Sequence, residues 1–241
     1  VGSANASVVR FCSAEVQVRG VRRAGGLIGY GQYLQIERCH AQGTVDARDY
    51  AGGLLGYLEY GEVEYCYADV ETTSSINVGG LIGRLEESTV MKCYAAGYVI
   101  RTYSSHGLRG GGGLVGYAVD SIIMDCFAKG AVNGADGVGG LVGRLSQSSR
   151  AAIIMRTYAV GRVSGSSDTG GLVGYIGFGS PEITDSFYDR YTTNQSDTGK
   201  GIPMTTAEMM DGDIYYYWDL AWEIPDGESY PYLKTLPNPY Q

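Results

Sequence analysis

The residues of this 241-residue chain whose types could do chemistry are five cysteines, two histidines and a series of glycine pairs. Cysteines could supply a catalytic thiol, a disulfide framework or a metal site, and glycine-rich turns could cradle a nucleotide phosphate. Their spacing argues for another origin. Cys12, Cys39, Cys66 and Cys93 stand 27 residues apart and Cys126 follows after 33, while Leu27, Leu54, Leu81 and Leu114, each behind a Gly-Gly pair, precede Cys39 to Cys126 by 12 residues. Two further copies place Thr157 and Ser186 in the cysteine position. A disulfide or metal centre would not tolerate that exchange, but a small buried slot would, and CxxC spacing is absent. The cysteines are therefore expected to be free and to act as small hydrophobes.

Other candidate chemistry fails in the same way. HExxH is missing, and His40 and His106 are the only histidines. The glycines of 110–116 and 137–143 are copies of the repeat without a βαβ context, and Thr198-Gly199-Lys200-Gly201 lacks the phosphate-loop pattern. Asp120, Asp125 and Arg109, or Glu62, Glu64 and Glu86, could approach one another as in a β-helix polysaccharide lyase. Scattered acids on outward strand positions are more simply solvated. No catalytic, cofactor-binding or metal-binding residue is assigned.

The elements that carry these residues repeat. The unit reads GGL-aliphatic-G-Tyr/Arg, eight residues, an aliphatic (Val9, Ile36, Val63, Val90, Ile123, Ile154, Ile183), two more residues, then C-aromatic-A-x-G-x-V. Seven copies, the first incomplete, fill residues 1 to about 190. Cys39, Ala41, Gly43 and Val45 alternate with His40, Gln42, Thr44 and Asp46, the parity of a strand with a small apolar face turned inward. At about 3.3 Å per residue a 27-residue unit traces about 90 Å, which suits one coil of a three-sided solenoid, and coils stacked about 4.8 Å apart make a rod about 35 Å long. The expected fold is all-β, a parallel β-helix (β-solenoid) of about seven coils over 1–191, closed by a non-repeat C-terminal cap over 192–241. The Gly-Gly pairs are expected to mark tight corners that need φ > 0.

The repeated GGLIGY, GGLLGY, GGLIGR, GGLVGY and GGLVGR resemble the GLUG motif of large bacterial surface and secreted proteins, including non-catalytic parts of some IgA-cleaving metallopeptidases. The tail, with TTAEM, WDLAWEI and SYPYL, is similar to the segment that commonly closes such arrays. The resemblance implies a β-solenoid of the surface-protein type and leaves the ligand open.

Departures from the period are where function is expected. Six extra residues lie around RTYSSHGLRG, four around LSQSSRAA and two around IGFGSPE, as if to form lips on neighbouring corners. The residue after the cysteine slot runs Ser13, His40, Tyr67, Tyr94, Phe127, Tyr158, Phe187, a ladder of rings along one outward side. Tyr67, Tyr94, Phe127 and Tyr158, with His106 of the first insertion, are the candidate binding residues for a glycan or protein. In-register stacking alone, or cover from the tail, would give the same ladder a structural role. In the tail, Thr205 to Glu208 fits a capping box and Asp226-Gly227 a turn.

A net charge of -8 disfavours nucleic acid, which needs a concentrated basic face; Arg19, Arg22 and Arg23 form only one small cluster. No run of 18 apolar residues is available to span a membrane. The chain starts at Val1 without a leader, which reads as a processed product or fragment, and its first coil has no room for an N-terminal cap. The expected function is an extracellular or cell-surface, non-enzymatic, adhesin-like module. Self-association into a filament through the first coil, and a β-helix lyase or hydrolase, are the alternatives.

Overall fold

The computed structural model of the protein describes residues 2–102, 109–218, 220–225 and 227–241. It is a β-solenoid of about seven turns, nearly all β, with very little helix. Each coil but the last contributes strands to four parallel sheets, and the last to three of them, so the three-sided expectation is corrected to four strand segments per turn. In the second coil these are Ile28–Gln32, Gln35–Glu37, His40–Ala47 and Tyr50–Gly52, and they define the first to fourth faces. Coils are numbered below by the cysteine slot, from Cys12 in coil 1 to Ser186 in coil 7.

The 27-residue offset becomes hydrogen-bonded register. Ile28 pairs with Leu55, Val63 with Val90, and Tyr67 with His40, so each repeat position stacks on the same position of the next coil. The interior is one apolar column built from the aliphatic markers, the Gly-Gly-Leu leucines, the cysteines and the inward alanines. Leu81 and Ile82, whose orientation the sequence left open, are both fully buried.

The corners work differently from the sequence expectation. The Gly-Gly pairs do not have positive φ; that conformation is taken instead by non-glycine columns, Phe11, Arg38, Tyr65, Lys92, Asp125, Arg156 and Asp185 at one corner and Ala6, Tyr33, Tyr60, Glu87 and Asp120 at another. The paired glycines are needed because backbones touch: a methyl group at Gly53 would overlap the Gly80 carbonyl oxygen and come within 2.7 Å of Ala68 Cβ.

The left-handed residue before each cysteine also explains the cysteine. There the ladder changes partners, since Arg38 N–H donates to the following coil at Glu64 O and His40 N–H to the preceding coil at Cys12 O. The intervening Cys39 N–H donates to Cys66 Sγ at 3.3 Å, and Cys66 N–H donates to Cys93 Sγ at 3.3 Å. Each thiol in turn donates to the carbonyl two residues back, as Cys66 does to Glu64 O at 3.3 Å. Thr157 N–H donates to Ser186 Oγ at 3.2 Å in the same geometry. The slot thus requires a small side chain that both accepts and donates, which corrects the reading of cysteine as a plain hydrophobe. All five cysteines are free thiols. Hydrogen bonding to Cys66 and then burial push the Cys39 thiol up, and burial first pushes Cys93 up, so both stay protonated.

Coil 7 breaks the inward alanine column with Tyr188, whose buried ring lies over Gly171 and whose hydroxyl donates to Asp197 O. This plugs the interior. The chain then makes a helix, Arg190–Thr193, adds one more rung, Ile202–Met204, beside Phe187–Asp189, and enters the short helix Thr206–Met209. The capping box is present: Thr205 Oγ1 accepts from Glu208 N–H and the Glu208 carboxylate accepts from Thr205 N–H. Asp226 lies outside the described residues; Gly227 adopts φ +73°.

Candidate functional site

The third face starts one residue after the cysteine slot, so its first outward residue is fixed by the same register. Tyr67 pairs with His40 and Tyr94, Phe127 with Tyr94 and Tyr158, and Tyr158 with Phe187. The rings stack. Centroids are 4.7 Å apart for His40–Tyr67, 5.1 Å for Tyr67–Tyr94, 4.8 Å for Tyr94–Phe127 and 5.0 Å for Phe127–Tyr158, with planes within 12° of parallel. Four of the five sequence candidates are therefore brought into one column. His106 lies outside the described residues.

An exposed platform along this whole column is not what the fold builds. Tyr94 is 4% exposed, Phe127 and Tyr158 are fully buried and Phe187 is 6% exposed. The tail runs back along the side of the rod and seats its own rings there: Trp222 lies 5.9 Å from both Phe127 and Tyr158, Tyr240 lies 6.2 Å from Phe127, and Trp218 lies 6.1 Å from Phe187. The cap is lateral as well as terminal, and the faces of Tyr94, Phe127 and Tyr158 are withdrawn from outside ligands. Tyr67 and His40 remain half-buried, outside this cover.

Two carboxylates hold the tail: Asp125, which the sequence reading assigned to solvent or to possible catalysis, and Asp189, which it did not single out. Asp125, buried in its corner, accepts two hydrogen bonds of 2.7 Å from Arg156 and one of 3.2 Å from Trp222 Nε1. Asp189 accepts from the Tyr191 and Thr192 amides at the start of its helix and from the hydroxyls of Thr206 and Tyr230 at 2.6 Å. The signal was available: Asp125 interrupts a column that reads Arg38, Tyr65, Lys92 in earlier coils. Burial pushes the Tyr158 phenol up, which keeps it a donor to Pro231 O.

Three further candidates, Asp120, Glu64 and Glu86, are engaged by neighbouring groups of the fold. Asp120 accepts from the Ser148 and Ser149 amides and the Ser149 hydroxyl, fixing the second insertion. Glu64 pairs with Lys92 at 3.3 Å and Glu86 with Arg84 at 2.8 Å. Among the described residues no three of His, Cys, Asp and Glu are grouped to hold a metal ion. Arg19 pairs with Asp46, while Arg23 lies over the Tyr30 ring at 4.3 Å. The Tyr/Arg slot after Gly-Gly-Leu forms a second column, with Arg84 between Tyr57 and Tyr117 and Arg144 between Tyr117 and Tyr175. The same slot reads Tyr30, Tyr57, Arg84, Tyr117, Arg144 and Tyr175 along the sequence. The second and third insertions are neighbours, with Gln147 N–H donating to Phe178 O. Residues 103–108 of the first insertion lie outside the described residues.

Stacked coils, an apolar column and ring ladders on the surface define a β-solenoid repeat protein. The family model described as the GLUG motif matches residues 48–73 and 107–133, so GLUG-motif matches fall on two of the repeats of this β-solenoid. A stretch of 60 residues, 23% of this chain, is 45% identical to a protein of Evansella cellulosilytica named "Putative Gly-rich membrane protein", of which it covers 7%. Both likenesses are those of a surface or secreted repeat protein. Among the described residues no helix is long and apolar enough to cross a membrane.

Proposed function

We propose that this chain is a non-enzymatic module of an extracellular or surface-displayed protein, an adhesin-like rod whose side binds a host or surface glycan or protein. The observation that carries the reading is the course of the tail, which seals the ring column in coils 4 to 7 but leaves Tyr67 and His40 half-exposed beside the open third face of coils 1 to 3. Half-exposed stacked rings on a rigid sheet are suited to recognition, because they lose little side-chain freedom on binding. The test is binding of the intact chain to arrayed glycans and extracellular host proteins, compared with Tyr67→Ala and His106→Ala. Binding that Tyr67→Ala weakens tenfold or more supports the reading; binding to every partner at unchanged affinity refutes it.

A further inference from the structure

The ring column ends at His40. One face of the imidazole is stacked on Tyr67, with planes 2° apart, and the other looks toward coil 1, where the register puts Ser13 opposite His40. Every other coil supplies a ring at this position; coil 1 supplies a hydroxymethyl group. The vacated rung is a shallow concavity of about 170 Å3 lined by Ser13, Ala14, Glu15, His40 and Gln42. Glu15 and Gln42 are the next outward pair along the strands, in register with one another, and both are exposed.

We propose that this missing rung is a binding site for one ring of a neutral saccharide, stacked on the free face of His40 as the next step of the ladder. This rests on the surface-binding reading above and names its ligand class and position. The chemistry of the walls selects the ligand. A pyranose has an apolar C–H face that matches an aromatic plane, and a rim of hydroxyls that match the Glu15 carboxylate as acceptor and the Gln42 amide as donor and acceptor. An aromatic side chain from a partner protein would stack equally well but would leave those two polar groups unmatched. An anionic sugar would meet Glu15 on a chain of net charge -8. The column spacing of 4.7 to 5.1 Å fits a ring seated over Ser13.

The test uses the full chain, whose only imidazoles belong to His40 and His106, so that His106→Ala assigns the His40 resonances. It is titrated with neutral oligosaccharides of glucose, galactose, mannose, xylose and N-acetylglucosamine. The expected result is a shift of the His40 ring signals by at least one of these, with saturation transfer to sugar C–H protons. Affinity should fall tenfold or more in His40→Ala and return in His40→Tyr. Ser13→Tyr, which fills the rung with the protein's own ring, should abolish binding while leaving the unfolding midpoint unchanged or raised. Sugar binding that survives Ser13→Tyr overturns the proposal, as does a panel in which no oligosaccharide moves His40. If in that second case a protein ligand still binds and Tyr67→Ala weakens it, the saccharide site falls and the surface-binding reading stands.

Discussion

Cys66 offers a sharp perturbation because its sulfur has two hydrogen-bonding tasks in a fully buried position. It accepts from Cys39 N–H at 3.3 Å and donates to Glu64 O at 3.3 Å. Alanine removes the acceptor, leaving a buried amide without a partner at a cost of about 1–3 kcal/mol, and opens a void the size of a methyl group, worth about 1 kcal/mol. The total is about 2–4 kcal/mol. Valine refills the volume but not the acceptor, so about 1–3 kcal/mol remains lost. Serine keeps both tasks, as Ser186 does in coil 7, and should stay within about 1 kcal/mol of the natural chain. Urea unfolding with matched slopes measures the order, cysteine and serine above valine above alanine. Amide exchange at Cys39 supplies a single-site readout, with faster exchange in the alanine and valine variants only. If alanine or valine is as stable as serine, and the Cys39 amide stays protected, the slot asks only for a small apolar group and the argument is wrong.

Gly80→Ala would drive a methyl group into the Gly113 carbonyl oxygen and within 2.8 Å of Ala95 Cβ, so a loss of about 3 kcal/mol or more is expected by chemical denaturation. Asp125→Ala removes the carboxylate that accepts from Arg156 and from Trp222 Nε1; the tail should loosen by about 1–3 kcal/mol, seen as earlier proteolysis after Met204 and red-shifted tryptophan emission while the solenoid signal persists. At Asp120 burial acts to raise the carboxyl's pKa, but hydrogen bonds from Ser148 and Ser149 outweigh it and the net value is lowered. A folded value below the unfolded one means stability that is present above the unfolded carboxylate value and lost as pH falls through the folded one. Asp120→Asn should therefore lower stability at neutral pH and flatten the loss below about pH 4, and equal acid slopes would contradict this. A screen of polysaccharide substrates with and without calcium is expected to give no turnover, and turnover above background would restore the enzyme alternative.

The repeat made the coil register legible because a solenoid converts sequence period directly into neighbours: Val63 meets Val90 since both sit at the same place in a 27-residue unit. The stacking of His40, Tyr67 and Tyr94 followed from the same period. What the period could not convey was backbone conformation and the course of the tail. Gly52 and Gly53 looked like turn formers, yet their role is close contact between backbones, which depends on the neighbouring coil and not on local φ. The tail has no repeat, so its docking is set by long-range partners, Trp222 on Asp125 and Tyr230 on Asp189, that leave no periodic trace. Hence the period conveys that Tyr67, Tyr94, Phe127 and Tyr158 share one column, while the burial of Tyr94, Phe127 and Tyr158 was only one of the outcomes left open.

Sulfur anomalous scattering from crystals of the intact chain locates the five cysteine sulfurs without reference to any interpretation of the backbone. Stacked coils require one Sγ per coil from Cys12 to Cys126, in a near-straight row spaced about 4.8 Å apart. Sulfurs joined in pairs about 2.05 Å apart, or scattered off a common line, would contradict the solenoid and with it the slot, the ladder and the missing rung.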